Sequence, residues 1–170
     1  MALTLALGAV VVTVNHSHTQ AAFAYDHPAD PLTDEQASAE VIEAAIAVTK
    51  AAGLRDPAGG YAFRSCKNAS DPPYQATINM TFALPRGNSV GYLNDVASAM
   101  TDAGWTDAAS HAEHFGRKLT RAGVTSVFYR NPERVDVATM RIFGQCRVVA
   151  DHRADDAGWI ELTDRLRQAR

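Results

Sequence analysis

The chain holds two cysteines, Cys66 and Cys146, 80 positions apart, and each closes a stretch that reads as a β-strand. A pair placed in this way constrains the fold more than any other feature. If the two are bridged, the first strands of a sheet are tied to its last one, and the compartment must be oxidising. Closing a loop of that length stabilises a fold by about 4.5 kcal/mol in the chain-entropy description. The alternatives are two buried free thiols in a cytosolic chain, or one reactive thiol. No C-x-x-C motif is present and no cysteine spacing suits a metal, so redox catalysis and a zinc site are not expected.

The N-terminus bears on the same question. Residues 2–14 (ALTLALGAVVVTV) are an uncharged apolar run, too short for a comfortable transmembrane helix. They match the hydrophobic region of a secretory signal. Ala22-Phe23-Ala24 supplies the small-x-small pattern of a cleavage site, although no basic residue precedes the apolar run. The reading is a signal peptide or N-terminal membrane segment over 1–24, a proline-containing linker over 25–33, and one domain over 34–170. With 170 residues, the chain supports a single core. A net charge of -3 with interspersed signs offers no basic stripe for nucleic acid.

Within the domain, Ala37, Val41, Ala44, Ala45 and Val48 recur at helical spacing behind a Thr33 or Asp34 cap, which predicts a helix over 34–52. Strands follow over 61–66 and 74–84, separated by the Asp71-Pro72-Pro73 turn. In the second strand, Ala76, Ile78, Met80, Phe82 and Leu84 alternate with Thr77, Asn79 and Thr81, the pattern of an antiparallel sheet with one polar face. A second helix is predicted over 90–103 from Leu93, Val96, Ala97 and Met100. A meander of strands over 117–121, 124–130 and 135–147 comes next, and then a last helix over 158–168 with Trp159, Leu162 and Leu166 as its stripe. The fold class is therefore α+β: a two-layer sandwich with an antiparallel sheet of about five strands and helices packed on one face.

Candidate sites are few. Arg64, Arg130, Arg141 and Arg147 fall on predicted strands. With Tyr74 and Tyr129 they can form a surface for an anionic or carbohydrate ligand, and the plainer reading is a solvated polar face. Asp151-His152-Arg153 follows the last strand. An Asp–His pair can orient a general base, with Ser65 or Ser70 as an imagined nucleophile, but no nucleophile-elbow motif accompanies it. A hydrogen-bonded polar cluster, with His152 and Arg153 available to a ligand, is the simpler reading. His111 and His114 lie three apart without a third ligand, so no metal site and no cofactor are expected.

Several blocks occur in order: Ser65-Cys66-Lys67-Asn68, Pro72-Pro73-Tyr74-Gln75, Phe82-Ala83-Leu84-Pro85, Gly104-Trp105, Phe143-Gly144-Gln145-Cys146-Arg147 and Asp151-His152-Arg153. This order resembles the LppA-like family of mycobacterial cell-envelope lipoproteins. The resemblance implies export and a seat at the outer face of the plasma membrane, and it transfers no catalytic residue. Such lipoproteins carry a lipobox cysteine directly after the signal's apolar region. Here no cysteine precedes Cys66, so the expectation is a secreted protein, or one held to the membrane through residues 1–24. The expected function is non-enzymatic binding of an envelope protein or cell-wall component. A small envelope hydrolase with a site near Asp151-His152 is the alternative.

Overall fold

The computed structural model describes residues 30–67, 71–108, 116–155 and 159–170. The predicted signal segment, Ser70, His111 and His114 lie outside these residues.

Helix α1 spans Asp34–Ala51. Its start is fixed by a reciprocal capping box: the Gln36 N–H donates to Thr33 Oγ1 at 3.2 Å, and the Thr33 N–H donates to Gln36 Oε1 at 3.0 Å. Asp34 and Glu35 in the first turn and Lys50 in the last complement the helix dipole. Helix α2 spans Ser89–Asp102, capped by Asn88, whose Oδ1 accepts from the Gly91 N–H at 3.2 Å.

The strands are β1 (Ala58–Ser65), β2 (Tyr74–Ala83), β3 (Thr106–Asp107), β4 (Arg117–Arg121), β5 (Val124–Arg130), β6 (Val137–Phe143) and β7 (Ile160–Glu161), and a short helix α3 (Thr163–Gln168) ends the chain. All seven join one sheet in the order β3-β4-β5-β6-β2-β1-β7, with every pairing antiparallel. The β4–β5 hairpin turns through Ala122 and Gly123, both with positive φ (48° and 85°), the conformation that suits a tight hairpin.

The α+β sandwich agrees with the sequence reading, but the sheet has seven strands, not about five. The two additional ones, β3 and β7, are two residues each and sit at the two edges. A period of two cannot announce itself over two residues. The last helix also differs. Trp159 and Ile160 are exposed and lie at or beside β7 on the β1 edge, and only Leu162 and Leu166 of the predicted stripe are buried. The helix starts only at Thr163, and just before it the Glu161 carboxylate accepts from the Thr163 and Leu162 N–H groups at 2.8 and 3.1 Å.

The core lies between α1, α2 and the sheet face that carries Ala76, Ile78, Met80, Phe82, Phe128, Ala138, Met140 and Ile142, all essentially inaccessible to solvent. Register places Gln75, Thr77, Asn79 and Thr81 of β2 on the opposite face, beside Thr139 and Arg141 of β6 and Arg64 of β1. That second face is not bare: Thr77 and Thr139 are buried, while Arg64 and Arg141 are exposed.

Candidate functional site

The chemistry-bearing residues gather at two places, the end of the sheet near the cysteines and the face opposite the helices. At the first, Cys66 and Cys146 form a disulfide with an S–S distance of 2.10 Å and Cα atoms 6.1 Å apart. Cys66 directly follows β1, and its N–H donates to the Pro73 carbonyl at 3.0 Å. Cys146 lies beyond the end of β6, which stops at Phe143. The strand predicted to reach residue 147 stops at Phe143; Gly144 still donates its N–H to the Ala76 carbonyl of β2 at 2.9 Å, and beyond it the chain leaves the regular ladder.

A chain of polar contacts continues from the bridge. The Gln145 side chain donates to Glu40 of α1 at 2.7 Å, Arg147 donates to Gln145 Oε1 at 3.3 Å, and Arg147 Nε donates to the Asp30 carbonyl at 2.9 Å. Leu32 is bridged to Val148, and Val148 to Tyr74. The end of the predicted linker is thus docked to the domain, and Arg147 is engaged in holding it.

His152 lies at the centre of this end. Its ring stacks on Phe63 at a centroid distance of 4.1 Å and meets Tyr74 edge-on at 5.1 Å. Nδ1 is 2.7 Å from the Asp155 carboxylate and Nε2 is 3.3 Å from Asp34, and the side chain is only 6% exposed. A neutral imidazole has one N–H to donate, so serving both carboxylates at once requires the imidazolium. A ring held in this way has neither nitrogen turned toward a nucleophile. Ser65, the other member of the imagined pair, donates its hydroxyl to the Asp71 carbonyl at 2.5 Å. Arg153 pairs with Asp151 at 2.9 Å on the surface, and that hydrogen bond holds the Asp151 carboxyl below the ordinary carboxylate range. Tyr74 is buried, 2% exposed, and is a core residue rather than a surface contact.

The sheet face brings together a different subset. Arg64 and Arg141 both project from it, and Tyr129 occupies the same side of β5 through its register with Thr139. Arg64 lies over the ring of Trp159, a residue the sequence reading placed inside a helix, 5.1 Å from its centroid, a cation–π contact. Between the arginines, Thr77 Oγ1 and Asn79 Oδ1 are buried without a hydrogen-bond partner. Asn79 is the direct cross-strand partner of Arg141. Sequence reasoning did not foresee these two orphaned atoms. Alternation put Thr77 and Asn79 on the polar face but gave no indication that neighbours would bury them. Arg130 stands apart, at the end of β5. Among the described residues no cluster of His, Cys, Asp and Glu could hold a metal, and no helix is long and apolar enough to cross a membrane.

The family model "Putative lipoprotein LppJ" matches residues 33–165. Curated proteins of that description from Mycobacterium tuberculosis and Mycobacterium bovis are 38% identical over 133 residues, covering 78% of this chain and 70% of theirs. The family identified is LppJ, where the motif order resembled the LppA-like group. No solved structure matches the chain.

Proposed function

The chain belongs to the LppJ family, and from that membership we propose that it is an exported protein of the mycobacterial cell envelope that works by binding rather than by catalysis. Its seat on this reading is the outer face of the plasma membrane or the space beyond it, and the LppA-like motif order reflects a wider kinship among such lipoproteins. The disulfide suits that compartment, since such bridges persist where thiols are not kept reduced.

The binding surface is the sheet face opposite the helices, centred on Arg64, Thr77, Asn79 and Arg141. One observation carries this reading: Thr77 Oγ1 and Asn79 Oδ1 are buried and unpartnered beside an exposed guanidinium. A buried polar atom left unsatisfied costs about 1–3 kcal/mol, and a ligand hydroxyl, which can donate to Asn79 Oδ1 or accept from the Thr77 hydroxyl, would relieve that cost. Two guanidinium groups and the flanking Trp159 ring favour an anionic or carbohydrate component of the wall.

Co-sedimentation of the protein with purified cell-wall glycan tests this. The Arg64→Ala/Arg141→Ala double variant should lose at least tenfold in recovery. Thr77→Val, which keeps the shape and removes the orphaned hydroxyl, should weaken binding while leaving thermal stability unchanged or raised. Undiminished recovery of both variants would refute the assignment of this face.

A further inference from the structure

The end of the sheet away from the disulfide holds a second feature. The loop after β2 and the β5–β6 loop stand side by side there, joined by the Leu84 N–H donating to the Asp136 carbonyl at 2.8 Å. Two cavities adjoin at this place. One, of about 600 Å³, is walled among the described residues by Tyr129, Arg130, Asn131, Pro132 and Val135. The other, of about 440 Å³, runs along Pro85, Arg86 and Asp136 and shares Arg130 and Val135 with the first. Both volumes fall within the ~300–1,000 Å³ range of small-molecule sites.

We propose that the two cavities are one binding site for a single-chain anionic amphiphile, its apolar tail against Tyr129, Pro132 and Val135 and its carboxylate or phosphate head between Arg86 and Arg130.

The wall chemistry divides in this way along the groove. The first cavity is mostly apolar, and Val135 on its rim is 62% exposed, an apolar side chain left to water unless something covers it. Val90, 72% exposed, follows Ser89 at the mouth of the second cavity. Arg86 and Arg130 are exposed and have no ion-pair partner among the described residues. Two cations against the one carboxylate of Asp136 leave the wall net positive, and a guanidinium pair fits the flat, multi-oxygen head of a carboxylate or phosphate. A free inorganic anion would leave the apolar cavity unused, and an uncharged chain would leave the arginines unused.

Isothermal titration calorimetry on the oxidised full chain tests the site with dodecanoate, dodecyl phosphate, dodecanol and inorganic phosphate, each below its aggregation concentration. Both anionic amphiphiles should bind, with the tighter of the two naming the head group. Dodecanol should bind at least tenfold more weakly, and inorganic phosphate should give no heat. Octanoate should fall more than tenfold below dodecanoate, because each methylene withdrawn from water contributes. Arg86→Ala and Arg130→Ala should each weaken dodecanoate at least fivefold without changing dodecanol, and Asp136→Asn should tighten it. All three side chains are exposed, so the variants should keep the parent's circular dichroism. Dodecanol binding as tightly as dodecanoate, or arginine variants that titrate like the parent, would overturn the proposal. Arg64→Ala/Arg141→Ala should leave this titration unchanged, which separates the groove from the sheet-face reading.

Discussion

His152 shows how one side chain can look catalytic in a sequence and be architectural in a fold. Its neighbour Asp151 suggested an Asp–His dyad, yet Asp151 pairs with Arg153, and the carboxylates that reach the ring come from Asp34 and Asp155. The ring joins α1, β1, β2 and the closing loop through two carboxylate contacts and two aromatic ones. His152→Ala would remove all four and leave a void between Phe63 and Tyr74. It should cost about 2–4 kcal/mol, read as a drop in the urea midpoint with the disulfide intact. A change of less than about 0.5 kcal/mol would contradict this architectural role. At this scale the sequence was a partial guide. It singled out Arg64 and Arg141, whose placement follows from strand periodicity, and Cys66 and Cys146, which lie just beyond β1 and β6. It could not separate Arg147 or Tyr74 from surface contacts, because their partners Asp30 and His152 lie more than 70 positions away in the chain.

At the scale of elements, the long periodic segments were legible almost to the residue. Helix α1 was predicted over 34–52 and runs Asp34–Ala51, and β2 was predicted over 74–84 and runs Tyr74–Ala83. Here periodicity, capping and turn residues all agree. Elements made by tertiary contact were not legible. β7 exists because Ile160 and Glu161 pair with β1, and β6 ends at Phe143, just before Gly144 comes close under α1. That close approach carries a prediction. A Cβ at position 144 would lie 3.0 Å from Val41 Cγ1, 3.1 Å from Glu40 Oε2 and 3.3 Å from the Ala76 carbonyl. Val41 is fully buried and the carbonyl belongs to an interior strand, β2, so neither yields easily. Gly144→Ala should lower stability by about 1–3 kcal/mol, measured by chemical denaturation. A variant as stable as the parent would mean that α1 shifts freely on the sheet.

For the whole molecule, the disulfide is the covalent element that spans the chain, tying the end of β1 to the segment after β6 across 80 residues. Replacing both cysteines by serine should lower the unfolding free energy by about 2–4 kcal/mol. Reductant should bring the parent to the same urea midpoint and leave the double variant where it is. An unchanged midpoint in the variant would show that packing alone holds that end of the sheet.

Leu32 bridged to Val148 adds an orientation to that architecture. Asp30, the first described residue, sits at the same end as the bridged cysteines, whereas the tip formed by residues 131–136 lies at the other end of β2, about 30 Å away for a strand of its length. A tether running back from residue 30 would therefore hold the domain by its stapled base and leave the hairpin tip pointing outward, clear of whatever the tether is fixed to. Traction along such a tether would load the Asp30–Arg147 contact first, the Leu32–Val148 seam next and the cystine behind them, while the distant tip would keep its shape.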